Sequence, residues 1–181
     1  MTATDLPTEN PLLELTHVLE GDSALDGAVS ALAEYAEVIA DRPALYNALR
    51  GVGWLGHSLH PTLTDFPLGA WMSASLLDLI GPEGSEDAAR RLTGLGVLGA
   101  LPTAFAGLAD WRALGEQSDR RTGVVHAGGN AGALAAYTAS WVARRRGKHR
   151  LGAALGLLGA GLAAGAGYLG GHLAENGTFA D

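Results

Sequence analysis

The sequence predicts an all-α protein: a four-helix transmembrane bundle in up-down-up-down order, preceded by an acidic amphipathic helical segment. Three observations lead to this prediction. Four long stretches carry few or no charged residues, the links between them are short and charged, and the first 56 residues hold nine acidic against two basic residues. We therefore divide the chain into a soluble acidic helical segment (1–56), a membrane domain (57–175) and a tail (176–181).

The predicted spans cover about residues 59–80, 90–111, 123–143 and 151–173. The fourth has 23 consecutive residues without Asp, Glu, Lys or Arg. As a helix it would be about 34 Å long, against a hydrocarbon core of about 30 Å. It is apolar all round, whereas a helix of a soluble protein normally keeps a polar stripe. The first span is the weakest, because it contains Asp65 and Asp78. Short links make consecutive helices antiparallel.

Glycine, with 27 residues, recurs at i, i+4 spacing in the third and fourth spans. The pairs are Gly128/Gly132, Gly152/Gly156, Gly161/Gly165 and Gly167/Gly171. Small residues at this spacing let helices approach closely in a membrane. We expect these faces to pack helices within the bundle, or to join two copies of the chain.

Composition excludes several functions. The chain has no cysteine, so it cannot itself hold a disulfide, a thiolate-ligated zinc ion or an iron–sulfur cluster. The net charge of −7 argues against a nucleic-acid-binding protein.

The first 56 residues are predicted to form short helices. Leu25, Val29, Leu32, Ala36 and Ile39 recur at helical spacing on one face. The Asp-Arg-Pro sequence at 41–43 should end this helix and begin a shorter one. Two interpretations remain open: a solvated cap on the bundle, or a docking surface for a partner.

Alternation of the spans brings ionisable residues to one end of the bundle. We call it the near end; the first and third spans begin there, and the second and fourth end there. The candidate site residues at this end are His57, His60, Asp65, Asp110, His126, Asn130 and His172. Ionisable groups within spans are costly and usually face the interior, so they are functional candidates.

Imidazoles that converge from separate helices are suitable ligands for a transition metal or haem iron. The four histidines are therefore candidate ligands, and the two carboxylates and Asn130 are candidates for orienting them. A bis-histidine haem would pair His60 with His126 or with His172. Histidines at membrane interfaces also serve only as hydrogen-bonding groups, and this alternative stays open. A metal-dependent enzyme would need an open coordination position and a substrate cavity; neither is apparent in the sequence, so a non-catalytic role is expected.

The run from Trp54 to Trp71, WLGHSLHPTLTDFPLGAW, resembles the signature of the membrane family called domain of unknown function 2231. Further matches follow in order: LPTA at 101–104, GLADW at 107–111, RTGVVHA at 121–127 and YLGGHL at 168–173. The resemblance covers about residues 50–175 and implies an integral membrane protein without implying an activity. The N-terminal segment is similar to the lead-in of members fused to a Rieske iron–sulfur domain, which implies an electron-transfer context with the cluster on a separate protein.

The leading hypothesis is a multi-pass protein of the cell membrane, expected in the bacterial inner membrane. Its His/Asp cluster would bind haem b, a transition metal or a quinone and serve membrane electron transfer, with the lipid bilayer and an iron–sulfur redox protein as partners. The alternative is a structural or assembly module without a cofactor. In that case the polar cluster locks the bundle and the N-terminal helices dock a partner.

Overall fold

The computed structural model describes residues 10–176, which form helices joined by short links, with no strand in that range. The predicted tail therefore lies almost wholly outside the described residues. The eight α-helices are α1 (Pro11–Gly21), α2 (Asp26–Ala40), α3 (Pro43–Arg50), α4 (Val52–Leu55), α5 (Leu59–Ile80), α6 (Glu86–Arg112), α7 (Gln117–Arg145) and α8 (His149–Asn176). The all-α prediction is confirmed.

Local sequence explains the limits of the short helices. The Asn10 side chain caps α1 by accepting a hydrogen bond from the Leu12 amide at 3.0 Å. Proline at position 43 begins α3, where its missing N–H costs nothing. Gly51 ends α3 with a φ of 77°, and a Cβ there would lie 2.9 Å from the Leu59 Cβ. Only glycine fits this tight connection.

The four long helices form an antiparallel bundle in which α5 packs against α6 and α7 against α8, while α6 meets α7 and α5 meets α8. The start of α5 lies beside the end of α6, as the His60–Thr103 hydrogen bond shows. The start of α7 lies beside the end of α8 in the same way, through His126 and Ala166. Helices α5 and α7 therefore run in the same direction and face one another diagonally across the core.

Side chains of α5 and α7 meet at two levels below the near end. At mid-height the rings of Trp71 and Tyr137 stack with centroids 4.0 Å apart and planes inclined by 7°. At the far end, Arg144 Nη1 donates to Asp78 Oδ1 at 2.8 Å. The Arg144 side chain is 1% exposed, and Ser140 accepts a further hydrogen bond from its Nε at 3.2 Å. This ion pair neutralises the two charges that α5 and α7 carry at that depth.

Glycines allow the close packing of this core, but only some of the predicted pairs take part. A Cβ on Gly159 would lie 2.8 Å from the Tyr137 ring, and one on Gly96 would overlap Trp71. By contrast, a Cβ on Gly161, Gly165, Gly167 or Gly171 would meet nothing within 4 Å. The prediction that the pairs Gly161/Gly165 and Gly167/Gly171 pack helices within the chain is wrong, because these residues of α8 face outward.

The N-terminal helices lie on the near end of the bundle, where α1 contacts α7 and α2 contacts α6 and α7. Val29 and Ala36 of α2 are buried against Trp111 and Leu114 at the end of α6. The buried face of the N-terminal segment thus packs against the bundle.

Ion pairs reinforce this packing. Arg121 of α7 donates to both carboxylate oxygens of Asp26 at 2.7 and 3.0 Å, and to the Glu20 carbonyl at 2.9 Å. Arg112 of α6 donates to Glu37 at 2.7 Å. The hydrogen bonds from Arg121 and Gln117 lower the pKa of Asp26 to about 2. The acidity of the N-terminal segment is thus partly balanced by basic residues of the bundle.

A candidate histidine site at the near end

Two of the four predicted histidines face each other in the bundle. His60 of α5 and His126 of α7 have ring centroids 6.2 Å apart and ring planes inclined by 86°. His60 lies in the first turn of α5, but His126 lies nine residues after the start of α7 at Gln117, because that helix begins before the predicted span. The geometry selects His126 as the counterpart of His60.

The two rings are held by equivalent hydrogen bonds to the neighbouring helix. His60 Nδ1 lies 2.9 Å from the Thr103 carbonyl oxygen, and His126 Nδ1 lies 2.7 Å from the Ala166 carbonyl oxygen. A carbonyl only accepts, so each Nδ1 must carry the proton and donate it. Each Nε2 then keeps its lone pair, which is the atom that binds metals in a neutral imidazole.

A glycine backs each ring. A Cβ on Gly107 of α6 would lie 2.9 Å from His60 Cε1, and a Cβ on Gly170 of α8 would lie 2.8 Å from His126 Cε1. Real Cβ atoms do not approach so closely, so any larger residue would push the ring away. The glycines and the two carbonyls therefore fix ring position as well as tautomer.

Asn130 lies one turn after His126, as predicted, and contacts it directly. Its amide nitrogen donates to His126 Nε2 at 3.1 Å and to the His126 carbonyl at 3.1 Å. Thr64 holds the equivalent place on α5, since its hydroxyl donates to the His60 carbonyl at 2.8 Å. Among the described hydrogen bonds, Asn130 is thus the one residue that contacts Nε2 of either histidine ring.

Asp110 lies one turn above Gly107 on α6 and is 7% exposed. The Ser58 hydroxyl donates a short hydrogen bond to its Oδ2. Arg50 Nε, from α3, lies 3.8 Å from Asp110 Oδ1. Neither of these two atoms has a hydrogen-bond partner among residues 10–176, although both are buried. Asp110 therefore forms a polar layer between the histidine pair and the N-terminal helices.

His172 does not join the pair. Its Nε2 donates to Glu20 Oε1 of α1 at 2.7 Å, and its side chain is 9% exposed. Nearby, burial and the charges of Glu20 and Glu116 raise the pKa of Asp119. His172 thus connects the end of α8 to the N-terminal helices, at the correct level but on a different side of the bundle.

His57 and Asp65 also lie away from the pair, and both are exposed. His57 precedes α5, and its Nδ1 donates to the Ser58 carbonyl at 2.9 Å. Asp65 lies on the outer side of α5. The predicted convergence of four histidines and two carboxylates is therefore reduced to His60 and His126, with Asn130 in contact and Asp110 one layer above.

Sequence reasoning missed several residues that build this site. Arg50, Thr103 and the backing glycines were not among the candidates. The i, i+4 placement of Thr64 after His60 matches that of Asn130 after His126, and could have been noticed. The carbonyls of residues 103 and 166 leave no signal in the sequence, because any residue supplies one. Among residues 10–176 no group of three or more His, Asp or Glu residues is close enough to form a metal site.

The fold and the site define a class: an all-helical bundle of four long antiparallel helices, with a histidine pair at one end and a buried ion pair at the other. Two of these helices, α6 and α8, are long and apolar enough to cross a membrane.

Residues 56–179 match the family described as predicted membrane protein (DUF2231), and the chain belongs to this family. The resemblance to this membrane family noted in the sequence is therefore confirmed. Neither the curated proteins nor the solved structures include a match to the chain.

Proposed function

We propose that the protein is a multi-pass membrane protein whose four long helices all cross the bilayer, at about residues 59–80, 90–111, 123–143 and 151–173. Helices α6 and α8 meet the requirement by length and hydropathy. Helices α5 and α7 have 22 and 29 residues, enough for a span of about 30 Å. Asp78 and Arg144, near the far ends of these two helices, neutralise each other, as charged groups within membranes normally must. Asp65, which lies deeper along α5, is on the outer side of that helix.

In this arrangement residues 57–175 form the membrane domain and residues 1–56 a helical segment at its surface. The membrane would be the cell membrane, in bacteria the inner one. The family of predicted membrane proteins to which the chain belongs supports a location in the bilayer.

We further propose that the His60/His126 pair binds a redox cofactor, and that the protein is a non-catalytic component of membrane electron transfer. The observation that carries this proposal is the geometry of the pair: two imidazoles 6.2 Å apart, each fixed through Nδ1. Histidine ligands of metals typically donate their other ring N–H to a carbonyl in this manner. A transition metal or haem iron would take the Nε2 atoms as ligands, whereas the hydroxyl groups of a quinol would donate hydrogen bonds to them.

The surroundings suit such a role. The pair lies between helices, beneath the layer formed by Asp110, Ser58 and Arg50, so that a cofactor would be shielded from water. The partner would be an iron–sulfur redox protein that approaches the near end, consistent with the electron-transfer context implied by the resemblance of the N-terminal segment.

The test is to purify the whole chain in mild detergent, record visible spectra before and after dithionite, and measure metals on the same sample. We expect a Soret band or a stoichiometric metal that is lost in His126→Ala and retained in His57→Ala. The second variant removes an exposed histidine from the same end and is the matched control. A colourless, metal-free and quinone-free protein would refute cofactor binding.

One observation favours a second function. Asn130 donates to His126 Nε2, so both nitrogens of that ring are hydrogen-bonded within the chain. In this alternative the polar cluster only locks the bundle, and the protein is a structural or assembly module. His126→Ala would then lower thermal stability of a protein that never contained a cofactor, while partners would still assemble with it.

A further inference from the structure

An open cavity of about 470 Å³ lies at the far end of the bundle, opposite the histidine pair. It is formed where the start of α6 meets the end of α7 and the start of α8. Most of its lining can carry charge: Glu86, Asp87 and Arg90 from α6, and Arg144, Arg145 and His149 from α7 and α8. Such a lining suits a charged ligand, because an apolar one would leave these groups without partners.

Some of these charges are already paired and form the walls of the cavity. Arg90 and Arg91 both form ion pairs with Asp87. Arg144 is paired with Asp78. These charges are thus largely neutralised within the chain, and a ligand would be bound by other groups.

Two further side chains of the lining have no such partner. Arg145 forms no ion pair with any of residues 10–176, and its guanidinium carbon lies 5.0 Å from the centroid of the Trp141 ring. Stacking on an aromatic ring leaves the N–H donors of a guanidinium available at its edge. His149 Nδ1 is buried but has no hydrogen-bond partner in the same range. Both side chains can therefore donate to an anion.

The link between α7 and α8 adds to the positive charge around the cavity. Residues 144–150 hold five Arg or Lys residues and no acidic residue, and the first turn of α8 has no acidic residue either. Positive charges at the start of a helix are unfavourable, because the helix dipole is positive there. Lys148 and Arg150 lie at that position in α8, so an anion bound beside them would offset the repulsion.

We propose that the far-end cavity binds the phosphate group of an anionic phospholipid, with Arg145 and His149 as its hydrogen-bond donors. This inference rests on the proposed location of the protein in the membrane and does not depend on a cofactor at the histidine pair. Arginine suits the role, because its planar fork donates two hydrogen bonds to one phosphate. Basic pockets between membrane helices bind lipid headgroups in this way.

The surroundings of the cavity favour a lipid over free phosphate. Trp141 lies one turn before Arg145, and tryptophan is enriched where the hydrocarbon of a membrane meets water. On α6, the residues that share the outer face of Arg91 at helical spacing are exposed and apolar: Leu95, Leu98 and Phe105. Acyl chains would lie along this face while the phosphate stays at the level of Arg145.

Glu86 opposes such a ligand, since it is an exposed carboxylate of the lining and forms no ion pair with the described residues. The net charge nevertheless favours an anion, because residues 78–91 and 144–150 together hold seven basic and four acidic residues. Glu86 therefore offers a variant with the opposite effect. Its replacement by glutamine should tighten binding, whereas removal of a cation from the cavity should weaken it.

The experiment uses the whole chain in mild detergent and counts bound lipids by native mass spectrometry during titration with dioleoyl phosphatidylglycerol. We expect one tightly bound lipid per chain and weaker binding of dioleoyl phosphatidylcholine. Arg145→Met and His149→Phe approximate the shape of each side chain and remove its donors, so each should weaken binding of phosphatidylglycerol by about tenfold. Glu86→Gln should strengthen it.

Arg146→Met is the matched control, because it removes a cation of the same link that does not line the cavity. Exposed charges are screened by salt, so at physiological ionic strength this variant should change the affinity by less than about twofold. Equal losses in Arg145→Met and Arg146→Met would overturn the site and leave only diffuse electrostatic attraction. Circular dichroism and size-exclusion chromatography verify that each variant is folded.

Further outcomes identify the source of the phosphate and separate this inference from the function on which it rests. Inorganic phosphate in excess should not displace the lipid, and displacement would overturn the lipid assignment in favour of a free anion. A protein that inserts into liposomes but binds phosphatidylglycerol no better than phosphatidylcholine would refute this inference alone. A protein that stays in solution without detergent would refute the membrane location and this inference together.

Discussion

The far-end ion pair between Asp78 and Arg144 gives the sharpest test of how α5 and α7 are joined. The Asp78 side chain is 17% exposed and that of Arg144 1% exposed. Replacing Asp78 by alanine would leave a buried guanidinium without its counter-ion. Loss of one partner of a buried pair costs about 3–5 kcal/mol. We expect a value near 3 kcal/mol, because Arg144 keeps its hydrogen bond to Ser140.

A double variant tests whether the cost comes from the unpaired charge. In Asp78→Leu with Arg144→Met both charges are replaced by apolar groups, and such replacements are often neutral or stabilising. We therefore expect the double variant to recover most of the stability lost in Asp78→Ala. The assay is unfolding in mild detergent on titration with sodium dodecyl sulfate, followed by circular dichroism.

Asp87 provides the matched control, since it is also an acidic residue at the far end and forms ion pairs with Arg90 and Arg91. Its side chain is 54% exposed, and exposed ion pairs contribute little to stability. Asp87→Asn should unfold at the same detergent fraction as the unmodified protein. If Asp78→Ala behaved like this control, the ion pair would not join α5 to α7 and the reasoning would be refuted.

Two further predictions concern the near end. First, attachment of the N-terminal helices should depend on pH. The hydrogen bond from Arg121 lowers the pKa of Asp26 from its usual 3.8 to about 2. The ion pair therefore stabilises the folded state fully above about pH 4 and loses this effect as the pH falls to about 2. Hydrogen exchange in α1 and α2 should therefore accelerate over this range, and Arg121→Met should abolish that dependence; an unchanged profile would contradict it. Second, Gly107→Ala and Gly170→Ala should each lower the free energy of unfolding by about 1–3 kcal/mol, because the added methyl overpacks against a histidine ring. Gly161→Ala is the control, since its added methyl meets open space. The control should leave the thermal unfolding temperature unchanged. Equal effects of all three would show that the two glycines do not position the rings.

Local signals predicted much of the fold. The Asp-Arg-Pro sequence at 41–43 separates α2 from α3 as expected, and the alternation of long helices placed His60, Asp110, His126 and His172 at one end. The apolar character of α6 and α8 satisfies the criteria for a span. Helices α5 and α7 are not among the candidate spans, because polar residues such as Asp65 and Asn130 lower their mean hydropathy.

The site itself was only partly predictable, for a geometric reason. Alternation fixes the height of a residue along the bundle but not the direction in which its side chain points. His172 lies at the predicted height, yet it faces Glu20, because α1 lies against α7 beside that end of the bundle. The position of α1 depends on long-range contacts that no local pattern in the sequence contains.

A correspondence between the hairpins α5–α6 and α7–α8 was also hidden from the sequence: residues 66 positions apart on α5 and α7, and 63 positions apart on α6 and α8, make equivalent contacts, as His60 with Thr103 and His126 with Ala166 do. Among the residues that show this correspondence at the near end, only the histidines and the glycines are identical in the two hairpins. Thr103 and Ala166 have different side chains, and each accepts a hydrogen bond through its own backbone carbonyl. Thr64 and Asn130 likewise perform the same task with different groups. Equivalent contacts are therefore conserved between the hairpins where residue identity is not.

The position of the N-terminal helices has a consequence for biogenesis. Arg121, Arg112 and His172 fasten three different long helices to this segment. Because these attachments come from α6, α7 and α8, the N-terminal helices can settle in place only after those three helices have come together, so they are expected to dock last during assembly. Docking of this segment would therefore report that the bundle has been completed.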